Sequence, residues 1–317
     1  MQIFTCPVCD QPVHFGDLAC GCGAAIAFDP AAQTFAAADA PCANRETARC
    51  NWSAPGGGLC LSCAMTRTIP DLSLPENLTR WIEVEAAKRW VLACLMRLDW
   101  FTDADPGPRP LFDLVAEDTA AGPVKVMMGH EHGVITLNAS EADTPLRAAR
   151  AQALGESYRT LIGHMRHEIA HFLHHRLQAD PAFVAGFRAA FGDERADYDA
   201  ALQAHYADPQ PPGDHFITGY ATAHPHEDWA ETTAHLLHLL DIADSFAAAG
   251  LSLGAGGAQC DPYASADIAA LLDRSAAQAV ALNHVNRSMG LADLYPFVLS
   301  GPVRDKLAFV HRHLRRA

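Results

Sequence analysis

The sequence predicts an α+β fold, mostly helical, in which a small β-type module precedes a larger helical domain. Eight of the ten cysteines lie before position 64, in a stretch punctuated by Gly and Pro and without helical periodicity. From about residue 76 onward, apolar residues recur at helical spacing. Two runs have strand character, Phe112-Asp113-Leu114-Val115 and Gly133-Val134-Ile135-Thr136-Leu137-Asn138, the second rich in β-branched residues. With 317 residues, half of them hydrophobic, the chain has more than one small core needs. A module over 1–65 and a domain over 75–317 follow.

Taken in order, the first 65 residues read as short hairpins around metal. Thr66-Arg67-Thr68-Ile69-Pro70-Asp71 reads as an extended linker. A helix is expected over 76–98, where Trp81 and Trp90, with Trp100 just beyond, read as core. Thr144-Pro145 is a cap and first-turn pair for a long helical region that breaks near Gly155 and resumes from Glu156 to Leu177. Further helices are expected over 181–190, 194–206, 227–249, 265–288 and 301–315, with a loop at Gln210-Pro211-Pro212-Gly213. Cys94 and Cys260 stand alone and read as core thiols. The run His311-Arg312-His313-Leu314-Arg315-Arg316 reads as a solvated helix end.

The formal net charge of -14 argues against nucleic acid as a partner, because phosphate neutralisation needs a basic face. No charged segment followed by an apolar stretch opens the chain, and no run approaches ~18 uninterrupted apolar residues. A cytoplasmic protein without membrane contact is therefore expected. In that compartment clustered thiols stay reduced and point to metal. Cys6-x-x-Cys9 with Cys20-x-Cys22, and Cys42 and Cys50 with Cys60-x-x-Cys63, fit two four-cysteine structural zinc sites. In the first, where a CxC replaces the usual CxxC, His14 is an alternative ligand.

His167-Glu168-Ile169-Ala170-His171 carries the main chemical signal. In a helix the two histidines lie on one face, about 40° apart at 3.6 residues per turn, and can chelate one zinc. Glu168, one position round, can face a zinc-bound water as general base. The bland alternative is a His-rich solvated face, since His164, His174 and His175 lie close by. Only the 167/171 pair, however, encloses a glutamate at the required place. Downstream, Glu227 and Glu231 are again i and i+4: one carboxylate can bind the zinc while the other accepts a hydrogen bond from a ligand imidazole. Acidic residues also suit a helix N-terminus for its dipole alone.

HExxH followed by Glu227-Asp228-Trp229-Ala230-Glu231 resembles the gluzincin metallopeptidases, and Gly219-Tyr220 ahead of it resembles their lethal-factor type. The whole chain is similar to a bacterial family of zinc-ribbon metallopeptidases known mainly from sequence. That likeness rests on Cys50-Asn51-Trp52, Thr66 to Ser73, Gly133 to Asn138, Tyr158-Arg159-Thr160-Leu161 with Arg166-His167-Glu168, His224 to Thr232, and Tyr295-Pro296-Phe297-Val298. The resemblance implies a β-type zinc-ribbon module, then a zincin-like domain that hydrolyses a peptide or protein substrate. It implies a zinc held by His167, His171 and Glu227, with Glu231 orienting a histidine and Glu168 as base. Tyr220, seven residues before Glu227, would stabilise the oxyanion beside the metal. It further implies that Val134 to Asn138 is an edge strand offered to an extended substrate. His226 stands where the family has an aromatic residue such as Trp, and offers a competing ligand. Two other readings stand beside this one. A catalytically silent regulatory or binding scaffold is opposed by the intact Glu168, and a nucleic-acid-binding zinc-ribbon protein is opposed by the acidic composition.

Overall fold

The computed structural model describes residues 2–154, 159–254 and 261–316. The chain divides into two compact units, residues 1–165 and 166–317.

The first unit opens with two antiparallel hairpins, β1 (Phe4–Thr5) with β2 (Pro12–Val13) and β3 (Ile26–Asp29) with β4 (Thr34–Ala37). Neither is long enough to bury a core by strand pairing alone. An aromatic cluster does so instead. Phe28 is fully buried and takes edge contacts from Phe4 at 5.5 Å, Phe15 at 4.9 Å and Phe35 at 5.6 Å between ring centroids. A one-turn helix, α1 (Leu61–Ala64), leads into β5 (Thr66–Thr68), then α2 (Pro75–Met96). Strands β6 (Leu111–Val115), β7 (Gly129–Glu131) and β8 (Val134–Asn138) complete a sheet of order β5-β6-β8-β7, and α3 (Thr144–Leu154) follows.

Two expectations fail here. The supposed linker at Thr66 is a strand, parallel to β6. Its apolar pattern is weak because its partners are polar: Thr66 Oγ1 donates to Glu85 Oε1 at 2.6 Å, and Lys88 of α2, fully buried, bonds to both. Arg67 Nε donates to Asp113 Oδ1 of β6 at 2.9 Å. Nor is Val134–Asn138 an edge strand. It runs parallel to β6 on one side, and β7 pairs with Val134 to Thr136 on the other. The cause is a tight hairpin whose central residues, His132 and Gly133, both have positive φ (48° and 83°), the geometry that matches strand twist.

The dividing point of the units falls within α4 (Leu161–Leu177). The second unit continues through α5 (Pro181–Phe191), α6 (Tyr198–Ala207), a 3-10 turn at Tyr220–Thr222, α7 (Pro225–Ala248), α8 (Ile268–Ser288) and α9 (Gly301–Leu314). Helix starts move where a cap decides them. Thr160 Oγ1 accepts from Gly163 N at 3.0 Å, so α4 begins at 161 and not at 156; residues 155–158, with Gly155, Glu156 and Tyr158, lie outside the described ones. Asp143, not Thr144, caps α3 through Leu146 N at 3.2 Å, and Asp197 delays α6 to Tyr198. Cys94 is buried as expected, and Cys260 lies outside the described residues. Trp81 and Trp100 are buried, while Trp90 is half-buried against Phe15. The end of α9 is not simply solvated: His311 is buried, its pKa lowered by that burial and by Arg315. Among the described residues, no helix is long and apolar enough to cross a membrane.

Helix α7 is the axis of this unit, buried along most of its length. Trp229, fully buried, sits in a ring of Phe183, Phe187, Phe191 and Phe309 at 5.3–6.4 Å. Gly186 lets α5 meet α9 there, since a Cβ would lie 2.7 Å from Phe309 Cε2. Asp228 beside Trp229 is buried too, and Lys306 of α9 bonds it at 2.5 Å and the His215 carbonyl at 2.7 Å. Removing one partner of a buried pair leaves an uncompensated charge. Lys306→Met should therefore destabilise this unit by about 3–5 kcal/mol, read as a lower denaturation midpoint by near-UV circular dichroism. An unchanged midpoint would show that the pair contributes nothing.

Candidate metal centre

The N-terminal cysteines converge in two groups, Cys6, Cys9, Cys20 and Cys22, then Cys42, Cys50, Cys60 and Cys63, the four sulfurs of each lying within 4.8 Å of one another. Tight turns place them. Asp10, at φ 60°, and Gly23, at φ 89°, turn the backbone just after Cys9 and Cys22, and Cys60 caps α1. The sulfur–sulfur separations are 4.0 Å for Cys6–Cys22, 3.6 Å for Cys9–Cys20, 3.6 Å for Cys50–Cys60 and 3.7 Å for Cys50–Cys63. A tetrahedral zinc with Zn–S near 2.3 Å requires sulfurs about 3.8 Å apart, and disulfides require about 2 Å. The donors fit zinc. Backbone N–H groups already point at the sulfurs, Val8 N to Cys6 and Cys60 N to Cys42 at 3.5 and 3.2 Å. His14 is exposed and lies outside the first group.

A third group joins His167 and His171 of α4 to Glu227 of α7. His167 Nε2 lies 3.1 Å from His171 Nε2 and 3.0 Å from Glu227 Oε2, and His171 Nε2 lies 3.6 Å from Glu227 Oε1. Three lone-pair-bearing atoms in one place, at the ~3.3 Å spacing that nitrogen and oxygen ligands of a tetrahedral zinc adopt, fit a cation at their centre. Glu227 is 1 % exposed, and its Oε2, despite the nearby imidazole, has no aligned hydrogen-bond partner. A buried carboxylate so placed needs a positive charge. Burial opposes its ionisation, yet His171 and His167 hold it well below the usual carboxylate range. On the same terms His167 is disfavoured as a cation by burial but pushed well above the ordinary imidazole range by Glu227 and Glu231.

Glu231, one turn beyond Glu227, takes the far side of His167. His167 Nδ1 donates to Glu231 Oε1 at 2.7 Å, and Thr218 Oγ1 donates to Glu231 Oε2 at 2.8 Å. In the neutral ring that metal binding requires, this bond would keep the proton on Nδ1 and leave the Nε2 lone pair toward the donor cluster. Glu168 is 8 % exposed, with Oε2 buried and without a hydrogen-bond partner. Burial raises its pKa, which His167 and His171 partly offset. The Tyr220 ring lies 5.9 Å from that of His167.

His226 is not among the converging ligands. Its ring meets His174 edge-on at 4.7 Å and stacks on His224 at 5.2 Å, so it fills an aromatic slot. Burial lowers its pKa to about 4 and that of His174 to about 3, which keeps both neutral. One contact was not anticipated from sequence: Tyr198 Oη donates to Glu227 Oε1 at 2.7 Å. The two lie 29 positions apart, and no motif spacing links them.

A zinc-ribbon domain family model matches residues 3–74, and one described as "Putative zinc-binding metallo-peptidase" matches residues 77–313. Two relatives, an uncharacterized protein of Mycobacterium bovis and one of Mycobacterium tuberculosis, are each 39% identical over 326 residues, which cover 98% of this chain and 94% of theirs. No solved structure matches.

Three converging donor groups lead to a stoichiometric expectation. Protein purified without added metal should carry about three equivalents of zinc by elemental analysis. A His167→Ala/His171→Ala variant should lose one equivalent and His226→Ala none. Loss of zinc in the His226 variant would put that ring in the ligand set.

Proposed function

Because this chain belongs to the zinc-binding metallo-peptidase family, with a zinc-ribbon domain ahead of it, we propose that it is a zinc-dependent hydrolase of peptide bonds of the gluzincin kind. The main support is the convergence of His167 Nε2, His171 Nε2 and the Glu227 carboxylate, with Glu168 beside them and not engaged in the cluster. A zinc bound there would supply Lewis-acid chemistry, acidifying water and polarising a carbonyl. The chain's own groups do the rest. Glu168, buried yet ionisable, takes the proton from the attacking water and delivers it to the leaving amine. Its raised pKa makes it a better base than an exposed carboxylate. Glu231 keeps His167 in the tautomer and orientation the site needs. Tyr220, beside His167, donates its hydroxyl to the developing oxyanion. The two cysteine groups take structural zinc, which ties the short hairpins together around their aromatic cluster.

Glu168→Gln removes the base and keeps the shape. It should retain the full zinc complement and fold but lose cleavage of a broad peptide library. Tyr220→Phe should lower turnover roughly 10²–10³-fold with little change in substrate binding. A wild type as inert as Glu168→Gln, with zinc bound, would favour a silent peptidase-fold scaffold.

A further inference from the structure

We propose that Tyr198 is a positioning residue that fixes how Glu227 meets its metal, engaging one carboxylate oxygen in a hydrogen bond so that the other is the ligand. The inference rests on the metallopeptidase reading and adds a residue to it. Tyr198 is the first residue of α6, a helix in which no residue is buried, and it reaches the site through its phenol. Its Oη donates to Glu227 Oε1 at 2.7 Å, while Glu227 Oε2 faces His167 Nε2 at 3.0 Å without a hydrogen-bond partner. Oε1 also lies 3.6 Å from His171 Nε2, so the hydrogen bond from Tyr198 is what distinguishes the two oxygens. A carboxylate with both oxygens open can swing to bind through two atoms, whereas one pinned by a donor binds through one and leaves a position for water.

The phenol is held in place from α7 itself. His224, the residue that caps α7, lies edge-on to the Tyr198 ring at 5.2 Å. Its Nδ1 accepts from His226 N at 3.1 Å, which leaves Nε2 to donate to the Ala196 carbonyl at 3.1 Å, two residues before Tyr198. One buried histidine therefore ties the segment that carries Tyr198 to the helix turn that carries Glu227. Asp197 fixes the other side by capping α6 through Ala200 N at 3.0 Å. Tyr198 as a whole is 39% exposed, and phenylalanine keeps its ring.

The test is Tyr198→Phe in the full chain, which keeps the ring against His224. The metal site concerned is identified as the one lost in the His167→Ala/His171→Ala variant. Zinc competition against a chromogenic chelator should show that site weakened ~10–100-fold in Tyr198→Phe, with the cysteine-held zinc unchanged as an internal control of folding. Cobalt exchanged into the same site should show weaker visible absorption than in wild type, because the freed carboxylate oxygen adds a ligand atom. Equal affinity and equal spectra would overturn the inference alone. A wild type that holds no metal at His167 and His171 would overturn it together with the reading beneath it.

Discussion

The seating of α4 on α7 is the constraint from which the candidate centre follows. Neither helix holds the whole donor cluster: α4 brings two imidazoles to it and α7 the carboxylate. Three contacts along the pair set their register. At one end Trp229 Nε1 donates to the Ala170 carbonyl at 2.9 Å. In the middle His167 bonds Glu231, and at the other end Arg166 bonds His238 and Asp241. As α4 descends from 170 to 166, its partners ascend from 229 to 241, so the helices run in opposite directions. One turn of slippage would move a residue 5.4 Å and dissolve the cluster. Trp229 resists that slippage best, because it is fully buried in its aromatic ring and its indole N–H has a fixed partner.

Burial then separates the roles of chemically identical side chains. His235 and His238 lie on α7 beyond Glu231, and desolvation lowers both, His235 to about 4 and His238 well below the imidazole norm. His174 and His226 are lowered likewise. His167 alone among these faces two carboxylates and goes the other way. Among the described residues, the one group that joins histidines to a carboxylate lies where Glu227 and Glu231 are brought up to α4. One position along α7 from Glu227, Asp228 has a different answer to the same burial. Lys306 bonds it, and its pKa still rises to about 6, because desolvation outweighs that pairing.

How much of this was legible in the sequence depends on whether the signal was local. Helical periodicity and the i, i+4 pairs located His167, Glu168, His171, Glu227 and Glu231, because a helix converts spacing directly into a shared face. The cysteine spacing located eight thiols and their division into two sets of four, and the fold brings each set together. Pairings between distant segments left no such trace. Thr66 to Thr68 became a strand because Arg67 and Thr66 found Asp113 and Glu85, and β8 lost its edge to a hairpin turn at His132-Gly133. Tyr198 was hidden more deeply, because its contact with Glu227 depends on where α6 lies and not on any spacing.

A metal site formed by α4 and α7 together would be distinct from the two cysteine groups. Zinc-edge anomalous diffraction from crystals of the full chain tests it most directly. The account predicts three anomalous peaks, two within the cysteine groups and one enclosed by His167 Nε2, His171 Nε2 and Glu227, with His226 turned away. Two cysteine-bound peaks with none on α4, or a third peak ligated by His226 in place of Glu227, would contradict it.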